Sequence, residues 1–444
     1  MRIALVAMSG VRVRSKELFA VGVTLPGFVE RSQVIASLPS LGLLTLAGAL
    51  PDGHDLDYFE HESVTPDALA DGGYHVVAIS TFTAQAPEAY ALCDALRARG
   101  VRVAIGGLHV TVCPDEAQAH ADHVFVGEGE ETWPEFVRDL EAGRARPRYD
   151  ATGRVFPLER SPQPRYDLLD PSRYNRLTVQ TTRSCPHKCT FCASGVLLRG
   201  PYRKKPVDLV RRDLDAIAAI WPRPFVELAD DDTFVDKRWG LSLAHAIAEH
   251  DLHWFTETDV TVADDLELLD ALAQSGCRQL LIGFEALDAA AVAGLESVPF
   301  KARRVAGYEA AVRRIQSRGI SVNGCFVLGA DHHTPDAFAR VAQFADDVGL
   351  AEVQVTVLTP FPGTPLYTQL LADGRILSPG DWGGCTLFDV TFRPARMSVE
   401  ELEAGLRDTF RRLYAPEKVR ARRRAFHAEA REGLRARTRP RPAA

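Results

Sequence analysis

The sequence predicts an α/β protein built from two successive parallel-sheet units and a C-terminal helical segment. Three observations lead to this prediction. Short apolar runs alternate with amphipathic, helix-like stretches in the first third of the chain, and six further β/α repeats begin at Leu177. A stretch rich in Arg and Pro, without hydrophobic periodicity, separates the two series. Alternation of strands and helices with short loops is typical of parallel sheets covered by helices.

The first unit is assigned to residues 1–145 and is predicted to be a doubly wound parallel sheet. Its candidate strands are residues 2–7, 56–59, 75–80, 102–105 and 123–126. Candidate helices between them are residues 41–50, 86–99 and 131–141. In such folds ligands bind beyond the carboxyl ends of the strands. Two glycine-rich loops lie there, but neither matches G-x-G-x-x-G, so a dinucleotide site has weak support and tight turns are the alternative.

Residues 146–172 are assigned to a linker, and residues 173–375 to a partial (β/α)6 barrel. The six candidate strands are residues 177–180, 225–229, 253–258, 279–284, 321–328 and 352–358. Helical stretches separate them, for example residues 207–220, 241–250, 266–275, 301–318 and 335–348. Chemistry in such barrels is expected at the carboxyl ends of the strands.

Residues 376–444 are assigned to a C-terminal segment. Residues 398–413 form a predicted amphipathic helix, in which Ser398 and Glu401 match a capping box. Beyond Tyr414 the tail is basic, with ten Lys or Arg against two Glu in residues 418–441. We expect a frayed, solvated helix and a disordered end here. A contact with an acidic partner or an anionic substrate is the alternative.

The composition excludes several classes of protein. The net charge of −7 gives no footprint for nucleic acid over the whole chain. No apolar run reaches the roughly 18 residues that a membrane-spanning helix needs. Eight cysteines in 444 residues are too few for a disulfide framework, which favours a reducing cytoplasm.

Three of the eight cysteines form the most specific motif in the chain. Cys185, Cys189 and Cys192 are spaced C-x3-C-x2-C directly after the first strand of the second unit. This spacing predicts a metal centre. A common iron–sulfur cube takes four thiolates, so three leave one iron free to bind a substrate or cofactor. A zinc site is the alternative, but it needs a fourth protein ligand, and His187 lies inside the loop at poor spacing for that role.

Polar residues follow five predicted strands of the second unit. They include Asp230, Asp231, Asp232, Glu257, Asp259, Glu285, Asn323, Asp331, His332, His333 and Thr359. Any one of these groups alone is typical of a solvated turn or helix cap. Because the carboxyl ends of the strands of one barrel lie at the same edge, five groups together indicate a site there.

These motifs resemble those of the radical S-adenosylmethionine (SAM) enzymes, with Phe191 just before the last cysteine of the trio. Further blocks resemble the cobalamin-binding subfamily of these enzymes: residues 39–44, 106–109, 126–130, 231–234, 282–285, 326–331 and 359–365. The resemblance covers the chain from residue 1 to about residue 415. It implies a Rossmann-like cobalamin-binding domain followed by a radical SAM partial barrel.

The resemblance implies that the three cysteines bind a [4Fe-4S] cluster and that SAM binds its remaining iron. The backbone at Ala229 and Asp230 is then expected near the methionyl amine of SAM, and Glu257 and Glu285 near its ribose hydroxyls. Arg203 is a candidate partner for the SAM carboxylate, with a solvated charge run as the alternative. The remaining candidates for SAM contact are Phe191, Asn323 and Thr359.

For cobalamin, the resemblance places the lower face of the corrin at Thr81 and Phe82. It places the nucleotide tail near Gly106, Gly107 and His109 and near Gly127, Glu128 and Gly129. The motif D-x-H-x-x-G, which supplies a histidine ligand to cobalt in several cobalamin proteins, is absent. Cobalamin binding therefore rests on the resemblance. His109 alone is more typical of a loop histidine than of a ligand.

The function that these expectations favour is methylation of an unactivated carbon of a small molecule or secondary metabolite. The resemblance implies that a 5′-deoxyadenosyl radical abstracts hydrogen and that methylcobalamin donates the methyl group, with an external reductant such as flavodoxin or ferredoxin. One alternative is a radical SAM enzyme that catalyses cyclisation or rearrangement, with or without cobalamin. Another is a non-catalytic iron–sulfur or zinc protein used for binding or sensing. A tRNA methylthiotransferase is disfavoured because the first unit holds only Cys93 and Cys113.

Overall fold

The first sheet contains six parallel strands in a computed structural model that describes residues 1–10, 12–21, 38–194 and 200–438. The strands are β1 Arg2–Ala7, β2 Asp55–Glu60, β3 Val76–Ser80, β4 Val103–Gly106, β5 His123–Val126 and β6 Arg148–Asp150. Their spatial order is β2-β1-β3-β4-β5-β6. The helices of this unit are α1 Lys16–Val21, α2 Leu41–Gly48, α3 Pro66–Asp71, α4 Ala86–Arg97, α5 Leu108–Val112, α6 Pro114–His120 and α7 Thr132–Glu141.

Both faces of this sheet are covered. Val6 of β1 packs in a core that includes Leu92 of α4, whereas the preceding Leu5 packs in a separate core that includes Phe136 of α7. Successive side chains of a strand point to opposite faces, so buried residues on both faces require helices on both sides. The prediction of a doubly wound parallel sheet is confirmed.

The sheet continues beyond the boundary expected at residue 145. Strand β6 pairs in parallel with β5 and includes residues that were assigned to the linker. It has the sequence Arg-Tyr-Asp, in which only Tyr149 is buried, so it shows no apolar run. Its strand conformation depends on pairing with β5, and hydrophobic patterning alone does not reveal it.

The second sheet contains six parallel strands in sequential order. They are β7 Leu177–Val179, β10 Phe225–Leu228, β11 His253–Thr258, β12 Cys277–Glu285, β13 Ser321–Leu328 and β14 Glu352–Val357. A short antiparallel hairpin follows β7 and comprises β8 Thr182–Arg183 and β9 Arg203–Lys204. The helices are α8 Val207–Ile220, α9 Lys237–Ile247, α10 Leu266–Gln274, α11 Ala289–Ala293, α12 Tyr308–Gln316, α13 Asp336–Asp347 and α14 Pro365–Ala372.

The two faces of the second sheet differ in chemistry. Val226, Leu280 and Val355 are examples of the strand residues that pack against the helices in one large core. The alternate positions face the interior of the open barrel and include Glu227 and Glu257. A carboxylate on a central strand is costly to bury unless it meets a partner or ligand. The inner face is therefore the side to search for a site.

The C-terminal segment forms α15 Val399–Tyr414 and α16 Pro416–Thr438. The capping box of Ser398 and Glu401 is present. The expected helix is present up to Thr438, and most of its side chains are exposed or half-buried. It is nevertheless attached to the rest of the protein, because Arg422 is buried and donates to the Leu413 carbonyl at 2.7 Å. Residues 439–444 of the predicted basic tail lie outside the described residues. Within the described part of the chain, no helix combines the length and apolar character required to cross a membrane.

Candidate functional site

The cysteine trio lies at the carboxyl edge of the second sheet. None of the three cysteines is in a disulfide bond, and all three are partly buried. Backbone hydrogen bonds hold the loop: Thr190 donates to the Leu295 carbonyl at 2.8 Å, and Ser297 donates to the Lys188 carbonyl at 2.9 Å. Three cysteines outside any disulfide, in one anchored loop, fit the donor set of an iron–sulfur centre.

The protonation of these thiols depends on what they bind. Burial raises the pKa of Cys185 to about 12 and that of Cys189 to about 12. Without a cation both thiols are therefore neutral at pH 7. Metal ligation requires thiolates and releases their protons. The charge of Lys301 partly opposes the effect of burial on Cys189, so this residue places a positive charge beside the trio.

Lys301 is in turn paired with a predicted SAM-contacting residue. Its Nζ lies 2.5 Å from Oε1 of Glu285, and both side chains are nearly buried. Glu285 has a φ of +63°, at an irregularity in the pairing of β12 with β13. A positive φ is uncommon for a residue other than glycine and indicates a position fixed by its surroundings.

His187, inside the cysteine loop, contacts carboxylates from two strand ends. Its Nε2 lies 3.0 Å from Asp259 and 3.4 Å from Asp232. Although burial lowers it, hydrogen bonds and charge from these two carboxylates raise the pKa of His187 to about 9. Ligand atoms of Cys185, His187 and Asp232 lie within 4.8 Å of one another, which is the arrangement a zinc alternative would use. Zinc would have to remove the proton that pairs His187 with both acids.

Asp230 fixes the strand that leads to the cysteines. Its carboxylate accepts from the backbone N–H groups of Thr181 at 2.7 Å and Thr182 at 2.8 Å, and from the Thr181 hydroxyl. The Thr233 hydroxyl donates to it at 3.0 Å. Burial nevertheless raises the pKa of Asp230 to about 6. The side chain is thus occupied in shaping the loop. The Ala229 N–H donates to the Val179 carbonyl at 2.9 Å, so only the other backbone groups of Ala229 and Asp230 are left for the predicted contact with SAM.

Two further predicted residues present polar atoms without partners. Within the described residues, no hydrogen bond is found for the Glu257 carboxylate, and Oδ1 of Asn323 is buried without one. Burial, followed by the charges of Glu227, Asp231 and Glu285, raises the pKa of Glu257 to about 8. Unpartnered polar atoms on the inner face fit a polar ligand such as a ribose. Thr359 donates its hydroxyl to the Val357 carbonyl at 3.0 Å, and Phe191 packs against the core.

Arg203 does not face the cysteine trio. Its guanidinium lies 2.7 Å and 3.0 Å from the two oxygens of Glu128, and it also donates to the Phe156 carbonyl at 2.7 Å. Glu128 belongs to the first unit, where the resemblance had placed it near cobalamin. The two side chains therefore satisfy each other across the domain boundary, which leaves Arg203 without a free fork for a SAM carboxylate.

A second arginine completes this contact. Arg183 lies 3.1 Å from Glu128 and 2.5 Å from Glu130. We call Glu128, Glu130, Arg183 and Arg203 the interdomain network. The four side chains are only 7% to 10% exposed. Although burial acts in the opposite direction, the two arginines hold the pKa of Glu128 below its usual range.

The glycine loops predicted for cobalamin meet at the carboxyl edge of the first sheet. Gly107 has a φ of +108°, and a Cβ there would lie 2.4 Å from the Thr81 carbonyl oxygen. Only glycine fits this turn. Gly127 also has a positive φ, and Gly106 ends β4. Phe82, beside them, is 56% exposed. A Cβ on Gly129 would lie 3.1 Å from Leu46 of α2.

His109 lies in helix α5 rather than in a loop. Its ring is fully buried between Tyr90 and Trp382, with centroid distances of 6.0 Å and 5.3 Å. Its Nε2 lies 3.5 Å from Glu116, which also accepts from the Trp382 indole at 3.0 Å. Burial lowers the pKa of His109. The residue therefore packs in the junction with the C-terminal segment.

Some residues of the site were not found from the sequence. Lys301 is the main example, since nothing in its local pattern distinguishes it from a solvated charge; Glu130 ends the glycine-rich loop, but its pairing with Arg183 was not expected. Arg183 offered one signal, its position two residues before Cys185. The partners of these residues are separated from them by 16 to 55 positions, and only the fold brings them together.

Two family models match the chain. Residues 33–137 match the B12 binding domain, and residues 179–365 match the Radical SAM superfamily. The chain is 27% identical over 381 residues to the bacteriochlorophyllide d C-12(1)-methyltransferase of Chlorobaculum tepidum, covering 84% of this chain and 81% of that one. It is 30% identical over 395 residues to an uncharacterized methyltransferase of Synechocystis, covering 85% and 71%.

Solved structures share the fold. One is the radical SAM methyltransferase TsrM from Kitasatospora setae with cobalamin and a [4Fe-4S] cluster bound, with a TM-score of 0.66 at 15% identity. The matched region covers 85% of this chain and 76% of the TsrM chain. The cobalamin-dependent radical enzyme OxsB, with aqua-cobalamin and SAM bound, has a TM-score of 0.68 at 13% identity and covers 91% and 65%. At these identities the likeness establishes the common architecture of both domains.

Proposed function

Because this chain belongs to the radical SAM superfamily and carries a B12-binding domain, we propose that it is a cobalamin-dependent radical SAM methyltransferase. The proposed reaction methylates an unactivated carbon of a small molecule. The observation that carries the proposal is the direct contact between the two halves. The loop with Gly127 and Gly129 is joined by buried ion pairs to the hairpin that leads into the cysteine trio.

The residues have distinct proposed roles. Cys185, Cys189 and Cys192 would hold a [4Fe-4S] cluster, with Lys301 supplying positive charge beside it. When bound, the cluster supplies the electron that cleaves SAM to methionine and a 5′-deoxyadenosyl radical, and cobalamin supplies the transferred methyl group. Glu257 and Asn323 would orient SAM through their unpartnered oxygens, whereas Glu285 is already held by Lys301.

The proposed cobalamin-binding edge consists of the turns after β3, β4 and β5. Gly107 lets the turn after β4 pass close to Thr81, and Phe82 offers an exposed ring to a flat ligand. We further propose that a flavodoxin or ferredoxin delivers the electron and that the protein works in the cytoplasm, since free thiols persist in reducing compartments.

The test uses SAM with an isotopically labelled methyl group. Anaerobically reconstituted protein, with cluster and cobalamin, is incubated with reductant and a small-molecule extract of the cells that produce it. We expect the label on a component of the extract, with S-adenosylhomocysteine and 5′-deoxyadenosine formed in comparable amounts. Release of 5′-deoxyadenosine alone, with an isomerised or cyclised product, would overturn methyl transfer.

A further inference from the structure

The interdomain network touches both proposed cofactor sites at once. Glu128 and Glu130 alternate with Gly127 and Gly129 in the loop that follows β5. Arg183 stands two residues before Cys185, and its neighbour across the β8–β9 hairpin is Arg203. No other segment separates the acids from the arginines, because the atoms are in direct contact.

The contacts define one orientation of Arg183. Its planar guanidinium contacts Glu128 and Glu130, and it also donates to Oε1 of Gln180 at 2.7 Å. Because a guanidinium is rigid and planar, one that contacts several acceptors fixes their direction as well as their distance. Exposed ion pairs contribute little because solvent screens them, whereas removing one partner of a buried pair leaves an uncompensated charge. This network belongs to the buried kind.

The backbone next to the network is held in an unusual conformation. Ser184, between Arg183 and Cys185, has a φ of +71°. A residue other than glycine persists in this region only where its surroundings determine it. On one side Asp230 fixes the N–H groups of Thr181 and Thr182, and on the other the network fixes the side chain of Arg183. A shift of the acidic loop therefore changes the start of the cysteine loop.

We propose that Glu128, Glu130 and Arg183 are positioning residues that couple the cobalamin loop to the cysteine loop, so that filling either site favours filling the other. This inference rests on the proposed function. It assigns these three charged residues a task that neither domain alone requires. Linkage makes the effect reciprocal: if the cluster tightens cobalamin binding by some factor, cobalamin must favour the cluster-bound state by the same factor.

The test measures the affinity for hydroxocobalamin, anaerobically, in protein with and without the reconstituted cluster. For the unaltered chain we expect the cluster to tighten binding at least about fivefold, the lower end of typical coupling between sites. Glu130 pairs with Arg183 and not with Arg203, and Glu130→Gln removes its charge. In this variant the ratio of the affinities measured with and without the cluster should be close to one. An unchanged ratio in this variant would overturn the proposal.

Two further variants sharpen the result. Arg183→Lys keeps the charge but loses the fork, and should also lower the ratio. Glu135→Gln, which breaks an exposed pair with Arg146 in the same domain, should leave it unchanged. If Glu130→Gln does not fold, the affinity ratio of Arg183→Lys tests the proposal, and an unchanged ratio in that variant would overturn it.

A readout without cofactors separates this proposal from the proposed function. Amide hydrogen exchange across residues 182–192 of the cofactor-free protein should be faster in Glu130→Gln and unaltered in Glu135→Gln. Failure of the unaltered chain to bind any cobalamin would refute the proposed function. Equal exchange in all three proteins would refute the coupling, whether or not cobalamin binds.

Discussion

At the scale of single residues, the inner face of the second sheet carries charge that the fold only partly compensates. Arg176 pairs with Glu227 at 2.5 Å, and Lys301 pairs with Glu285 at the same distance. Within the described residues, no hydrogen bond is found for the Glu257 carboxylate. A group kept unsatisfied in a folded protein reduces stability and indicates a ligand or a function.

The pH dependence of the cofactor-free protein should show the cost of Glu257. Its folded pKa of about 8 exceeds the value of 4.5 for an unperturbed glutamate. Between these values the folded state keeps a proton that the unfolded state releases, so stability declines as pH rises from about 4.5 to 8. In urea unfolding, the free energy of unfolding of Glu257→Gln should therefore rise relative to that of the unaltered protein between pH 5 and pH 8.

The control is Glu62→Gln, since Glu62 is exposed and, among the described residues, makes only a long ion pair with Arg12 at 3.7 Å. It should show no trend with pH relative to the unaltered protein. A constant difference between Glu257→Gln and the unaltered protein would contradict the assignment. With SAM present the unaltered protein should be the more stable of the two. A hydrogen bond to the Glu257 carboxylate contributes about 1.5–3 kcal/mol, or roughly tenfold to more than a hundredfold in affinity for SAM.

The buried pair of Lys301 and Glu285 gives a second prediction. Lys301→Met leaves Glu285 buried and unpaired, which costs about 3–5 kcal/mol in unfolding free energy. The double variant Lys301→Met/Glu285→Gln should lose less than the sum of the single changes, by about 0.5–3 kcal/mol. Urea denaturation checks the cycle. The control Glu309→Gln, at the exposed pair with Arg313, should cost about 0–1 kcal/mol. If the double variant lost as much unfolding free energy as the two single variants together, coupling between Lys301 and Glu285 would be excluded.

At the scale of elements, the turn after β4 determines how closely the backbone approaches the proposed cobalamin edge. Gly107 and Gly100 both have positive φ, but only Gly107 faces a backbone oxygen at close range. An alanine at Gly100 therefore adds only conformational strain, whereas an alanine at Gly107 adds the same strain and a steric conflict.

Gly107→Ala should destabilise the protein by about 1–3 kcal/mol more than Gly100→Ala, because overpacking adds to the shared strain. It should also weaken hydroxocobalamin binding, whereas Gly100→Ala should not, since no atom lies within 4 Å of the added methyl group. Urea midpoints and corrin absorbance retained after gel filtration measure the two effects. Equal losses in the two variants would show that the turn tolerates a side chain.

The sequence predicted the long elements well and the contact-dependent ones poorly. Strands such as β1 and β3 are largely apolar, so their patterns are visible locally. Strand β6 and the ordered helix α16 depend on partners distant in the chain. Arg423, for example, contacts Glu352 at 3.1 Å across 71 positions. Motif spacing identified the cysteine trio, but no local pattern indicates which charges meet across the domain boundary.

At the scale of the whole molecule, the domain junction is built from polar contacts as well as apolar packing. Tyr174 donates to Glu60 at 2.8 Å, and Trp382 donates to Glu116 at 3.0 Å. With the interdomain network, these contacts tie the first sheet to the second unit and to the C-terminal segment. The two proposed cofactor sites are therefore parts of one structure, as transfer of a group between them requires.

The most direct test of this account is anaerobic reconstitution of the full chain with iron, sulfide and hydroxocobalamin, followed by incubation with SAM and a reductant. We predict about four irons per chain, a corrin absorbance that persists through gel filtration, and release of 5′-deoxyadenosine and S-adenosylhomocysteine. Cys189→Ala should abolish 5′-deoxyadenosine release. One zinc ion per chain with no cleavage of SAM would contradict the account.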